Sequence, residues 1–103
     1  MYRFLALSLV FALNASVAIA VEERTRICLN AADTRSAIAA NSLADPLATL
    51  RAVARKGQAD PLRSRLCRWD DKFVYEMALL RRDGKVIRVF IDAANGVQAV
   101  SAP

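Results

Sequence analysis

The residues able to do chemistry in this chain are few, and their spacing narrows them further. There is no histidine, so hydrolysis would have to run on hydroxyls, carboxylates or the two cysteines, Cys28 and Cys67. A nucleophile needs an adjacent base, or a pair of acids needs a shielded cleft. Asp70 and Asp71 are neighbours in a segment that reads as a turn, where an aspartate caps its own backbone and the two side chains point apart. Asp92 and Asn95 read the same way, as turn residues ahead of Gly96. Two cysteines without histidine are too few ligands for a structural zinc site. The expectation is a protein without catalytic residues and without a cofactor.

The basic residues form two groups. Arg63, Arg65 and Arg68 share one extended run, and Arg81, Arg82, Lys85 and Arg88 surround a turn. Such groups bind phosphates, an anionic surface or an acidic protein groove, or simply stay solvated among interspersed acids.

The start of the chain bears on the first of these and leaves ordinary solvated charge open. Met1 to Ala20 has one basic residue, Arg3, then a charge-free apolar run ending in Ala18-Ile19-Ala20. Small residues at those positions suit signal peptidase, so cleavage is expected after Ala20. The alternative is a membrane anchor, since the run from Phe4 to Val21 just reaches a spanning length, though Ser8, Asn14 and Ser16 interrupt it. Export makes nucleic acid an unsuitable partner and favours an anionic envelope surface or an acidic protein. Removing 20 of the 103 residues leaves 83, and the formal charge falls from +5 to +4 with the loss of Arg3. An even cysteine count in an exported chain makes a Cys28–Cys67 disulfide the default, ahead of two buried thiols or a metal pair. Closing a loop of about 40 residues contributes on the order of 4 kcal/mol in the chain-entropy model, a large share for so small a domain.

Several elements must position these residues. Asn30 caps a short, weakly amphipathic helix through about Ala37. Asp45 caps a second helix, with Pro46 at its first position, Arg55 and Lys56 in its last turn and Gly57 as the left-handed cap. Leu47, Leu50, Val53 and Ala54 form its apolar stripe. Leu62 to Trp69 is a strand whose core-facing side stays open, because Leu62 and Leu66 argue for one face and Cys67 and Trp69 for the other. Asp70-Asp71 turns it into a Lys72 to Arg81 strand, and a Val86 to Asp92 strand and a short Val97 to Val100 edge segment follow.

The hairpin around Asp83-Gly84 sets the faces. A two-residue loop would mix polar and apolar side chains on both. A three-residue loop, Arg82-Asp83-Gly84 with Gly84 left-handed, pairs Leu79 with Ile87, Met77 with Val89 and Tyr75 with Ile91, so that one face is wholly apolar. Val74, Leu80, Val86 and Phe90 then lie on the opposite face with Glu76 and Arg88. Either the N-terminal helix covers that face or a partner does. Val74, Leu80, Val86, Arg88 and Phe90, with Arg63 and Arg65, are the candidate partner-binding residues.

Val74-Tyr75-Glu76-Met77, Arg82-Asp83-Gly84-Lys85 and Val89-Phe90-Ile91-Asp92-Ala93-Ala94-Asn95-Gly96 together resemble the C-terminal core of PepSY domains. That family's pattern is a Tyr-acidic-apolar strand, an Asp-Gly-Lys turn and an apolar strand closing in Val-Asp-Ala-x-x-Gly. The Ile27-Cys28-Leu29 and Leu66-Cys67-Arg68 segments resemble those of small exported PepSY-like proteins of Gram-negative bacteria. The resemblance implies a helix packed on a small antiparallel sheet and, for some members, binding and inhibition of peptidases. Here Asp45-Pro46-Leu47-Ala48-Thr49-Leu50 stands where the family has an acidic-acidic-Ala-Ile helix, and a cysteine pair and an N-terminal helix are added. The expected fold is therefore α+β, a short N-terminal helix and then one helix on three or four antiparallel strands, stapled by one disulfide. The expected function is that of an exported binding protein acting in trans on a peptidase or another envelope protein. The alternative is an envelope-surface accessory that binds anionic lipid or glycan through its arginines.

Overall fold

The computed structural model describes residues 26–98, and the leader and cleavage site expected at residues 1–20 lie outside them. The order is β1 (Arg26–Cys28), α1 (Ala31–Asn41), α2 (Pro46–Lys56), β2 (Asp60–Trp69), β3 (Lys72–Leu80) and β4 (Val86–Asp92). The strands form one antiparallel sheet in the order β1-β2-β3-β4. The α+β expectation holds, with one correction. The fourth strand is β1, from the segment ahead of the helices, whereas near the C-terminal end only a single Ile91–Gln98 bridge forms and Ala99 and Val100 lie outside the described residues.

Both helices begin at the expected caps. Asn30 Oδ1 accepts from Asp33 N at 2.7 Å, and Asp45 Oδ2 accepts from Ala48 N at 2.8 Å with Pro46 in the first turn. Their ends differ from expectation. Helix α1 runs four residues past Ala37, because Ala39 and Ala40 favour helix and nothing breaks it before Ser42 turns left-handed at φ 50°. At the end of α2, Gly57 has φ −87° and Gln58 takes the left-handed position at φ 50°. Ala59 N donates to Ala54 O and Gln58 N to Arg55 O, a Schellman closure set one residue later than the glycine suggested.

The hairpin register is the expected one, with Tyr75 opposite Ile91, Met77 opposite Val89 and Leu79 opposite Ile87. Gly84 sits at φ 86°, Gly84 N donates to Arg81 O at 3.0 Å, and Arg81 N donates to Lys85 O at 2.8 Å. Tyr75, Met77, Leu79, Ile91 and Leu66 form the core with Leu43, Leu50, Ala54 and Ala93. Ile38 of α1 and Val53 of α2 pack against it, so both helices cover the same face. Leu47, on the expected stripe but in the first turn of α2, stays 52% exposed, since no described element covers that turn.

The open question about β2 is settled by alternation and one irregularity. Leu66 is opposite Tyr75 and faces the helices, whereas Cys67 and Trp69 face away. A bulge between Pro61 and Arg63 takes Leu62 out of the alternation and leaves it exposed.

Candidate binding surface

The face away from the helices carries every candidate partner residue. Across it, Cys28 lies opposite Cys67 and Cys67 opposite Val74, Arg65 opposite Glu76 and Glu76 opposite Phe90, and Arg63 opposite Ala78 and Ala78 opposite Arg88. Cys28 and Cys67 are joined as a disulfide, which fastens β1 to β2. Neither helix reaches this face. It builds a partial roof of its own instead.

Trp69 and Phe90 make that roof, their rings 5.2 Å apart and tilted by 54°. They close a small cluster with Cys67 and Val74. Val74 is consequently only 3% exposed, and its candidacy as a partner-binding residue is corrected: it supports the surface from beneath. Of the other candidates, Arg63, Arg65, Val86 and Arg88 are exposed, and Leu80 and Phe90 are half-buried. The face therefore has a closed half around the disulfide and an open half around Ala78.

Glu76 organises the boundary between the two halves. It is buried, 7% exposed, and is the one charged residue of β3 between Phe73 and Leu80. Such a carboxylate has to be paired or hydrogen-bonded. Arg26 supplies both needs through Nε, 2.6 Å from Oε2, and Nη2, which bonds Oε1. Trp69 Nε1–H donates to Oε2 at 3.3 Å, and Arg65 Nη2 lies 3.5 Å from Oε1. Sequence reasoning placed Glu76 on this face but missed its partners Arg26 and Trp69. The available signal was a lone acid inside FVYEMALL, which in a two-sided strand calls for a cation opposite. Cys28 Sγ is 3.7 Å from the same carboxylate, and the two sulfurs with Glu76 form a cluster of metal-ligand type. Bonded to each other, the sulfurs offer neither a proton nor a thiolate, so the cluster serves the fold.

Arg63 and Arg88 have no carboxylate partner among the described residues, although Asp60 and Asp92 lie on the same face. Between them Ala78 projects only a methyl group, leaving a dimple lined by Arg63, Arg65, Arg88 and Glu76. With Arg26 neutralising Glu76, three guanidinium charges surround it.

The carboxylates and amides read as turn residues do what turns require. Asp92 Oδ1 accepts from Ala94 N at 2.9 Å, and Asn95 Oδ1 accepts from Val97 N at 2.9 Å. On the helix side, Tyr75 donates its hydroxyl to Ala44 O at 2.5 Å, and burial, then the charge of Asp45, raises its pKa above the usual value of 10.0.

Compared with protein-family models, with curated proteins and with solved structures, the chain matches none.

Proposed function

We propose that this protein is an exported, non-catalytic binding domain whose outer sheet face docks an acidic protein surface. One observation carries the reading: Arg63, Arg65 and Arg88 stand around Ala78 on a rigid sheet, and neither helix lies over them. Arginines held on strands, Arg63 and Arg88 among them without a carboxylate partner, select a partner by charge, while Val86, Leu80 and Phe90 offer apolar contact beside them. The likeness of residues 74–96 to PepSY domains makes a peptidase one candidate for the partner, and it rests on those residues alone.

The test is capture from envelope extract by the oxidised protein, compared with its Arg63→Glu/Arg88→Glu variant, with anionic phosphatidylglycerol vesicles as a parallel arm. Both residues are exposed, so the variant keeps the core. The expected result is a protein retained by the wild type and at least tenfold less by the variant. Equal capture by both overturns the reading. Binding confined to the vesicles overturns it in favour of an envelope-surface accessory.

A further inference from the structure

Among the described residues, the outer edge of β4 is covered only near its end, where Ile91 bridges Gln98. In the β3–β4 ladder the hydrogen bond from Arg81 N to Lys85 O fixes the alternation, so Ile87, Val89 and Ile91 turn their backbone groups toward β3. Val86, Arg88, Phe90 and Asp92 turn theirs outward. Asp92 is satisfied there, since its N–H donates to Val97 O at 2.8 Å. The outward groups of Val86 and Arg88 have no partner among the described residues, and the Ile91–Gln98 bridge begins to cover the edge beside Phe90. Outward strand groups left without a partner, as at Val86 and Arg88, are a template for another strand.

The two faces beside this edge differ in chemistry. On the helix side a groove of about 560 Å³ runs between α2 and β4, with Val53, Leu79, Ile87, Val89, Ile91 and Val97 in its lining. Ile87 and Val89 are only half-covered by α2. On the other side the edge presents Arg88, exposed and unpaired. A strand added here alternates its side chains between these environments.

We propose that the edge of β4 takes an extended acidic segment of the partner as a fifth strand, its apolar side chains entering the groove beside α2 and a carboxylate between them meeting Arg88. This rests on the binding reading above and specifies the partner's chemistry: an extended segment of apolar-acidic-apolar pattern. Main-chain hydrogen bonds hold such a segment and alternate side chains give its specificity. Charge disfavours a second copy of this chain as occupant, because β4 paired two-fold about Arg88 brings that arginine against its own copy, and like charges across strands repel. The opposite edge is less suited, since β1 is three residues long.

The test uses the 15N-labelled oxidised protein and two synthetic peptides, Val-Glu-Val-Glu-Val and Val-Lys-Val-Lys-Val, each blocked at both ends. With the glutamate peptide, amide exchange at Val86 and Arg88 should slow at least tenfold, and the lysine peptide should leave it unchanged. Arg88→Glu should reverse that preference. Shifts confined to Arg63 and Arg65, with the two edge amides unaffected, would overturn strand addition while leaving the arginine face as a docking surface. Slow exchange at those amides in the protein alone would mean that a segment of this chain fills the edge, which overturns the proposal as well. Loss of capture by the double arginine variant is a separate measurement, so failure of the wider reading is visible independently of the peptides.

Discussion

Replacing Arg26 with alanine removes one cation from the rim of the outer face but leaves a carboxylate buried behind it. Glu76 is 7% exposed and keeps only Trp69 Nε1–H at 3.3 Å and Arg65 Nη2 at 3.5 Å as donors. Breaking a fully buried pair by deleting one partner costs about 3–5 kcal/mol. Two features lower that figure here. The Arg26 side chain is 35% exposed, so water reaches its place, and Arg65, 43% exposed, can close on the same oxygen. We therefore expect Arg26→Ala to cost about 2 kcal/mol, within the range for an unsatisfied buried group. Glu76→Met removes the carboxylate and releases Arg26 to water, and its expected cost is below about 1 kcal/mol. The informative quantity is the double variant: with no carboxylate to strand, Arg26→Ala should add almost nothing to Glu76→Met. Urea unfolding of the four proteins, all with the disulfide intact, measures this provided the slope of free energy against urea stays constant. An Arg26→Ala cost under about 0.5 kcal/mol, or a double variant equal to the sum of the singles, refutes the role given to Glu76.

Two further perturbations probe the frame. Gly84→Ala should cost about 1 kcal/mol, all of it from a φ of 86°, because an added Cβ meets nothing within 4 Å; an unchanged urea midpoint would refute the left-handed turn. Tyr75 holds its proton more tightly folded than unfolded, so its contribution is complete below about pH 10 and is lost as pH rises from there through the raised folded value. Tyr75→Phe should cost about 1 kcal/mol at pH 7 through the lost bond to Ala44 O, and should make the decline in urea midpoint between about pH 9.5 and 11 shallower; equal slopes in the two proteins refute the assignment.

What the sequence carried plainly was whatever a few neighbouring residues decide. Asn30 and Asp45 cap through their own side chains, Asp83-Gly84 closes a three-residue loop, and that loop fixes which of Tyr75, Met77, Leu79, Ile87, Val89 and Ile91 share a face. What it carried poorly depended on distant partners. Arg26 to Cys28 has no alternation long enough to read as a strand, and it is one only because Cys67 and Glu76 hold it from 39 and 50 residues away. The side of β2 was ambiguous because both alternating sets contain apolar residues: Leu66 packs under the helices and Trp69 roofs the other face. Val74 passed as a surface residue on register alone, since period two names the face and says nothing of what lies over it.

The topology explains why the outer face is where binding chemistry collects. Both helices fall between β1 and β2 in the chain and pack on one side of the sheet, so none of the described helices remains for the other. That second side must then be closed by its own side chains, and Trp69, Phe90 and the Arg26–Glu76 pair close the half nearest the disulfide. The reach of those side chains ends at the row of Arg63, Ala78 and Arg88. That row holds an alanine that fills little space and arginines that cannot be buried without a counter-charge, which is the chemistry that an acidic partner supplies.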